Sequence, residues 1–337
     1  MSALLRLRIT AIAVLAVAPV QAATFLVDTS SNSGAPAQQA CDSNPDNADC
    51  SLRGAILQAN ASPGPHLIAF ALPLGDPGYQ AATAHWRIDV PQSGLGSLPG
   101  ITREQVSIDG YTQPGSVPNS LTTEQGGSNA ILKIELYGAG VLFPAITADP
   151  GAVAMTVRGL AIGNFSAAVQ INSGTAHVVE GNFLGTDVSG STAQGNISGV
   201  TARAPVRIGG LLPEARNVLS GNGFAGVWLL FDNTSSGNNG GASGVQVQGN
   251  LIGTDASGTV RLPGNNQSFG VRMQVPLSGA VIGGDPIESR GIQLQQIARV
   301  AKYNPQGIPE DAAKKLAPVF NLDQMAESYF QQDADPV

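Results

Sequence analysis

The segment GNFLGTDVSG at residues 181–190 returns as GNLIGTDASG at residues 249–258, with seven of ten positions identical. A second pair follows, because IGGLLPEARN at 208–217 is similar to IGGDPIESRG at 282–291. The two offsets are 68 and 74 residues. Self-similarity at a nearly constant spacing is typical of a repeat architecture, in which each unit stacks on the next.

Short apolar runs within the repeats alternate with other residues, as in Val169-x-Ile171, Val227-x-Leu229 and Val245-x-Val247. A period of two indicates β-strands with one face buried. Asn and Gly separate these runs, and both tolerate the left-handed backbone of tight corners. A unit of about 70 residues divides into three coils of about 23, within the range of solenoid repeats. The sequence therefore predicts an all-β fold, a parallel β-helix.

Composition and charge narrow the function classes. The chain of 337 residues contains 42 Gly, and only 12% of its residues are charged. So little charge excludes a coiled coil and a charge-rich disordered chain. The net charge is −7, and no basic cluster follows the first ten residues. Because nucleic-acid binding requires a stripe of Lys and Arg, we expect no nucleic-acid partner.

The N-terminus predicts export. Arg6 and Arg8 precede an apolar run at 9–18, and Val20-Gln21-Ala22 supplies small residues for cleavage. This pattern is typical of a secretory signal peptide, residues 1–22, cleaved after Ala22. The run is shorter than the roughly 20 residues that span a bilayer. We expect a secreted or cell-surface protein with no transmembrane helix after signal removal.

The two cysteines, Cys41 and Cys50, lie nine positions apart in the polar segment QACDSNPDNADCS. Outside the cytosol, a disulfide that closes this loop is the expected state. A metal site needs more ligands, and the three histidines stand at non-ligand spacings. We therefore predict a disulfide, no metal and no cofactor. A catalytic thiol is the weaker alternative, because no histidine is near in sequence.

The regions that flank the repeats differ from them. Residues 23–150 predict an N-terminal cap with the first coils, including a strand at 24–27 and a helix after Ser51 as N-cap. The repeats occupy 151–290. Residues 291–337 hold three of the four lysines and lose the glycine pattern. The composition of this tail predicts short helices. The alternative is that the tail is a foreign segment, produced by a frameshift or a gene fusion.

The N-terminal residues support a family resemblance. CSLRGAILQANA at 50–61 resembles the Cys-Ser-Leu-Arg-Glu-Ala (CSLREA-type) motif of secreted bacterial proteins, where it precedes right-handed parallel β-helix repeats. VSIDGYTQPG at 106–115 and the Gly-Asn-x-apolar-Gly-Thr-Asp repeats are similar to other parts of such proteins. The resemblance covers about residues 24–290 and implies export and a right-handed helix. Gly54 stands where the family has Glu, and the resemblance implies no settled activity.

Two aspartates at equivalent repeat positions, Asp187 and Asp255, are candidates for chemistry. A column of carboxylates suits Ca²⁺ or acid–base work on a saccharide, whereas a Thr-Asp turn uses the carboxylate to accept backbone N–H groups. Repetition favours the turn, because corners recur along a solenoid and catalytic groups rarely do. The repeated Gly-Asn pairs at Asn182, Asn222 and Asn250 likewise favour an internal ladder over sugar contacts.

Other residues are candidates for ligand binding. Trp228 and Phe231, near Phe224, form the one aromatic concentration in the repeats, and alternation turns Trp228 away from its apolar neighbours. Outward aromatic rings provide a platform for sugars, and inward rings are core. The arginines are suited to grip an acidic polysaccharide or to pair with acids: Arg203, Arg207, Arg216, Arg261 and Arg272.

The leading hypothesis is a secreted or cell-surface β-helix that acts as a binding or structural module for an extracellular polysaccharide or surface component. The alternative is a polysaccharide-degrading lyase or glycoside hydrolase of the same fold, for which Asp187, Asp255 and Arg207 are the first residues to test. Such enzymes need acids, or a base with a metal, converging in one groove. Three or more carboxylates or arginines meeting in one groove would favour the enzyme, and dispersed corner positions would favour the module.

Overall fold

A computed structural model describes residues 22–45, 47–92, 94–140, 142–230, 244–274 and 279–283. Three predicted features lie outside the described residues: positions 1–21 of the signal peptide, Phe231, and the tail at 291–337. No helix in the described part of the chain is long and apolar enough to cross a membrane.

The first half of the chain contains one α-helix, α1, at Leu52–Ala61. Its strands are β1 Ala23–Val27, β2 His66–Phe70, β3 Tyr79–Gln80, β4 His85–Asp89, β5 Val106–Asp109, β6 Ile134–Tyr137 and β7 Ile146–Ala148. Short 3₁₀ turns occupy Pro36–Gln38, Gly110–Thr112 and, in the second half, Pro213–Ala215.

From residue 156 onward the described residues form short strands. They are β8 Thr156–Arg158, β9 Leu160–Gly163, β10 Ala167–Ile171, β11 His177–Glu180, β12 Phe183–Leu184, β13 Ser198–Ala202, β14 Val206–Gly209, β15 Val218–Leu219, β16 Ala225–Leu229, β17 Gln246–Gln248, β18 Leu251–Ile252, β19 Phe269–Met273 and β20 Val281–Ile282.

These strands form three sheets. Sheet A has the order β1-β2-β5-β8-β11-β14-β17-β20, sheet B the order β7-β10-β13-β16-β19, and sheet C the order β3-β4-β6-β9-β12-β15-β18. From β8 onward the chain visits sheets A, C and B in turn, four times over, and then returns to sheet A. All the pairings between these strands of the described chain are parallel except the hairpin β3–β4. The predicted all-β fold with parallel pairing is confirmed.

Aliphatic side chains from successive strands form continuous stacks between the sheets. In sheet A the paired positions are Ile68, Ile108, Val157, Val179, Ile208 and Val247. The first five are fully buried. Each side chain of this kind stabilises the fold by about 1.5–3 kcal/mol relative to an exposed position. The alternation read from the sequence therefore marks the true inner face.

Helix α1 packs against the first strands at one end of sheet A. The Ser51 hydroxyl oxygen accepts the Gly54 N–H at 2.9 Å, so the predicted N-cap is confirmed. A Cβ on Gly54 would overlap the Gln38 carbonyl oxygen. The backbone thus passes too close for any larger side chain at this position in this arrangement. Cys41 and Cys50 form the predicted disulfide, which closes the loop beside this helix.

Candidate functional site

Asp187 and Asp255 occupy equivalent turns on the surface. One carboxylate oxygen of Asp187 accepts the Ser189 N–H at 3.2 Å and the Thr192 N–H at 3.3 Å. Asp255 accepts the Ser257 N–H at 3.0 Å in the same way. Both carboxylates therefore shape their own loops, as the turn hypothesis predicts. Within the described residues, no group of three or more His, Cys, Asp or Glu side chains could hold a metal ion.

A buried asparagine ladder follows the corner between sheets A and C. The side-chain oxygen of Asn217 accepts the Asn182 N–H, and that of Asn250 accepts the Asn217 N–H. Each amide NH₂ donates to a backbone carbonyl of the coil before it, such as Val157 O or Val179 O. The internal role expected for Asn182 and Asn250 is thus present. Asn217 was missed because Arg216, rather than Gly, precedes it.

A second ladder follows the corner between sheets C and B. The side-chain oxygen of Asn222 accepts the Asn196 N–H at 3.2 Å, and its NH₂ donates to Gln267. Asn196 in turn accepts the Phe165 N–H at 3.0 Å. The sequence placed Asn222 with Asn182 and Asn250, but it belongs to this other ladder. Asn196 also follows a glycine, Gly195, but was not predicted for this role, and Gln267 stands at the same corner of the next coil, where the Gly-Asn pattern is lost.

Arg207 belongs to a charge ladder on the outer face of sheet A, formed by Asp109, Arg158, Glu180 and Arg207. Arg207 contacts Glu180 at 2.7 Å, and Arg158 lies 3.9 Å from Glu180 and 3.6 Å from Asp109. Burial raises the pKa of the Asp109 carboxyl, while Arg158 opposes the shift. Burial also raises the pKa of Tyr111, whose ring lies under Arg158. Four charges therefore meet, each paired with an opposite one.

The other arginines of the repeats hold backbone and amide oxygens at separate places. Arg203 donates to the Asn172 side chain at 3.2 Å. Arg216 is buried and donates to the carbonyls of Leu121 and Gly249, and Arg261 donates to that of Asn265. These three side chains do not converge, so Arg207 is the one predicted arginine that joins a cluster of charged groups in the described structure.

Trp228 lies on the outer face of sheet B, because its neighbours Val227 and Leu229 are fully buried in the core. Its ring packs edge-on against Phe224 at 4.9 Å between centroids, and Phe224 packs against Phe269 at 5.4 Å. Arg272 lies over both phenyl rings, at 5.2 and 4.7 Å. We call Phe224, Trp228, Phe269 and Arg272 the aromatic cluster. Phe269 was not predicted as a site residue, and Arg272 was predicted as a candidate arginine without its aromatic partners, because both come from the next coil, about 40 residues later.

Two donors of the aromatic cluster lack an acceptor. The indole N–H of Trp228 and Nε of Arg272 are shielded and have no hydrogen-bond partner among the described residues. Trp228 and Arg272 are directly paired across strands β16 and β19. A buried donor without a partner costs about 1–3 kcal/mol, so either side chain would gain a hydrogen bond by turning its N–H outward to an acceptor.

A groove of about 600 Å³ adjoins the aromatic cluster. Its lining comes from the loops that precede β7, β10, β13, β16 and β19, so it crosses five successive coils. Phe224 belongs to both the groove and the aromatic cluster. Leu142 and Ile197 expose apolar surface there, at 76% and 49%. No sequence motif marks this groove, because each coil contributes only two to four residues.

The comparisons with known proteins bear on the C-terminal part alone. A model of a family of unknown function, DUF6020, matches residues 268–337, which begin at β19 and continue beyond the described residues. The description of that family names no activity. No curated protein and no solved structure matches the chain significantly.

Proposed function

We propose that the protein is an exported right-handed parallel β-helix of the CSLREA-type class that binds an extracellular glycan through the outer face of sheet B. The cyclic order of sheets A, C and B supports such a helix. Right-handedness follows from the strong preference of crossovers between parallel strands in one sheet. Two buried asparagine ladders support the same architecture, because they satisfy corner backbone groups coil after coil.

The observation that carries the binding function is the aromatic cluster. Sugar rings present C–H faces that pack on aromatic rings, and hydroxyl edges that accept and donate hydrogen bonds. The cluster offers rings for the C–H faces, and the unpaired N–H groups of Trp228 and Arg272 become available to hydroxyl groups once these side chains turn outward. Its members support one another through edge-on and cation–π contacts, so little side-chain freedom is lost on binding.

Binding to a panel of neutral and acidic oligosaccharides tests this function. We expect at least one glycan class to bind, Trp228→Ala to weaken it at least tenfold, and Trp228→Phe to weaken it less. Tyr137→Ala is the matched control, because Tyr137 lies on sheet C under Arg87 in a similar cation–π pair. Absence of binding by a folded protein to every glycan would overturn the proposal, as would equal losses for Trp228→Ala and Tyr137→Ala.

The charge ladder is the observation that favours the alternative, a polysaccharide-degrading enzyme. It brings Asp109 and Glu180 together with two arginines on one face. Each charge is neutralised by a neighbour, which is typical of a structural network. New reducing ends or unsaturated products from an incubated glycan, abolished by Glu180→Gln but not by Asp187→Asn, would establish the enzyme and displace the binding module.

A further inference from the structure

The groove beside the aromatic cluster has an uncharged lining. It is lined, within the described part of the chain, by glycines, apolar side chains and amides, without a charged group. Arg261 bonds the carbonyl of Asn265 and does not line the groove. An acidic ligand inside the groove would lose hydration without meeting a cation in the groove lining, which is costly. The cation of the aromatic cluster, Arg272, lies over the ring of Phe224 but outside that lining.

Two amide side chains lie at opposite parts of this groove. Asn164 precedes β10 and Asn266 precedes β19, and neither side chain has a hydrogen-bond partner among the described residues. By contrast, the amide of Asn196 on the groove wall is used by the ladder beneath it. Free amides donate and accept at once, so they match hydroxyl groups and need no counter-charge.

The groove also has a direction and a length. Its five loops belong to strands stacked in order from β7 to β19, and neighbouring strands lie about 4.8 Å apart. Four such steps give a length of about 19 Å. Each step is near the length of one pyranose ring, so an extended chain can place successive sugars beside successive coils.

We infer that this groove binds an uncharged polysaccharide that runs along the stacking direction, with Phe224 as the contact shared with the aromatic cluster. The inference rests on the proposed glycan-binding function and names its substrate class. Leu142, Ile197 and Phe224 face the C–H surfaces of the sugars, and Asn164 and Asn266 bond their hydroxyls. Binding at such a site depends little on salt, because no ion pair forms.

Titration of the protein with two oligosaccharide series tests the inference. One series is neutral, made of xylan, glucan and mannan fragments of two to eight sugars, and the other is acidic, made of galacturonate and alginate fragments. We expect a neutral series to bind, its affinity to rise up to four or five sugars, and less than a twofold change between low and high salt.

Groove variants locate the site. Asn266→Ala and Leu142→Ser are expected to weaken neutral binding at least fivefold, and Leu211→Ser is the control, since Leu211 is similarly exposed at 66% and lies outside the groove lining. Salt-sensitive binding of acidic fragments alone would overturn the neutral class and leave the proposed function standing. Neutral binding lost in Trp228→Ala and unchanged in the groove variants would overturn the groove. If neither series binds, the proposed glycan-binding function itself is overturned.

Discussion

The side-chain oxygen of Asn217 accepts two hydrogen bonds from Asn182, one from its backbone N–H at 2.9 Å and one from its side chain at 3.2 Å. The two residues are 35 positions apart in sequence, and both are fully buried. A single amide thus links one coil to the next, because its own NH₂ donates to Val179 O and Asn250.

Removing this amide should destabilise the fold. Asn217→Ala leaves the Asn182 N–H without its acceptor and removes the hydrogen bond to the Val179 carbonyl. A buried polar group left unpaired costs about 1–3 kcal/mol. Denaturant titration measures the loss in free energy of unfolding. Asn266→Ala is the control, since an exposed substitution of this kind changes stability by less than about 0.5 kcal/mol. Equal stability of the two variants would contradict the ladder.

Gly54 should resist substitution. Gly54→Ala improves helix propensity by about 1 kcal/mol in an open helix, but here its Cβ would overlap the Gln38 carbonyl oxygen. Overpacking costs about 1–3 kcal/mol, so we expect a lower midpoint of thermal unfolding, and a lower one still for Gly54→Glu. Gly75→Ala, where nothing lies within 4 Å of the added Cβ, is the matched control. A stabilised Gly54→Ala would refute the close approach.

The disulfide should contribute to the stability of the N-terminal region. Cys41 and Cys50 enclose a short loop, and loop-closure entropy for this length corresponds to about 2–3 kcal/mol. We expect Cys41→Ser to lower the thermal midpoint, and reductant to lower the wild-type midpoint to a similar value without affecting the variant. An unchanged midpoint in both experiments would show that the bridge does not form.

His177 should make stability depend on pH. Burial lowers its pKa below the ordinary 6.5, and its Nδ1 accepts the Met155 N–H at 3.2 Å, which requires an unprotonated nitrogen. The unfolded chain therefore binds a proton more readily than the folded one, so stability falls as pH drops below about 6.5 and levels off below the folded pKa. His177→Gln should flatten this slope between pH 7.5 and 5. A variant with the wild-type slope would exclude His177 as its source.

The sequence alone predicted correctly those features that depend on residues close to one another in the chain. Alternation identified the inner face and the outward direction of Trp228, and the Ser51 cap and the disulfide follow from neighbouring residues. It failed where a feature is assembled across coils. Asn217 lacks the preceding glycine, Arg272 reaches the aromatic cluster from the next coil, and the groove gathers a few residues from each of five loops.

The outer face of sheet B carries one further regularity. Thr147, Gln170, Thr201, Trp228 and Arg272 are paired in register from strand to strand. A spin-label distance between Thr147→Cys and Arg272→Cys tests this stacking most directly, because the native cysteines are held in their disulfide. We predict a narrow distribution near four strand spacings, about 19 Å between backbones. A much longer or broad distribution would contradict the parallel stack on which the binding face depends.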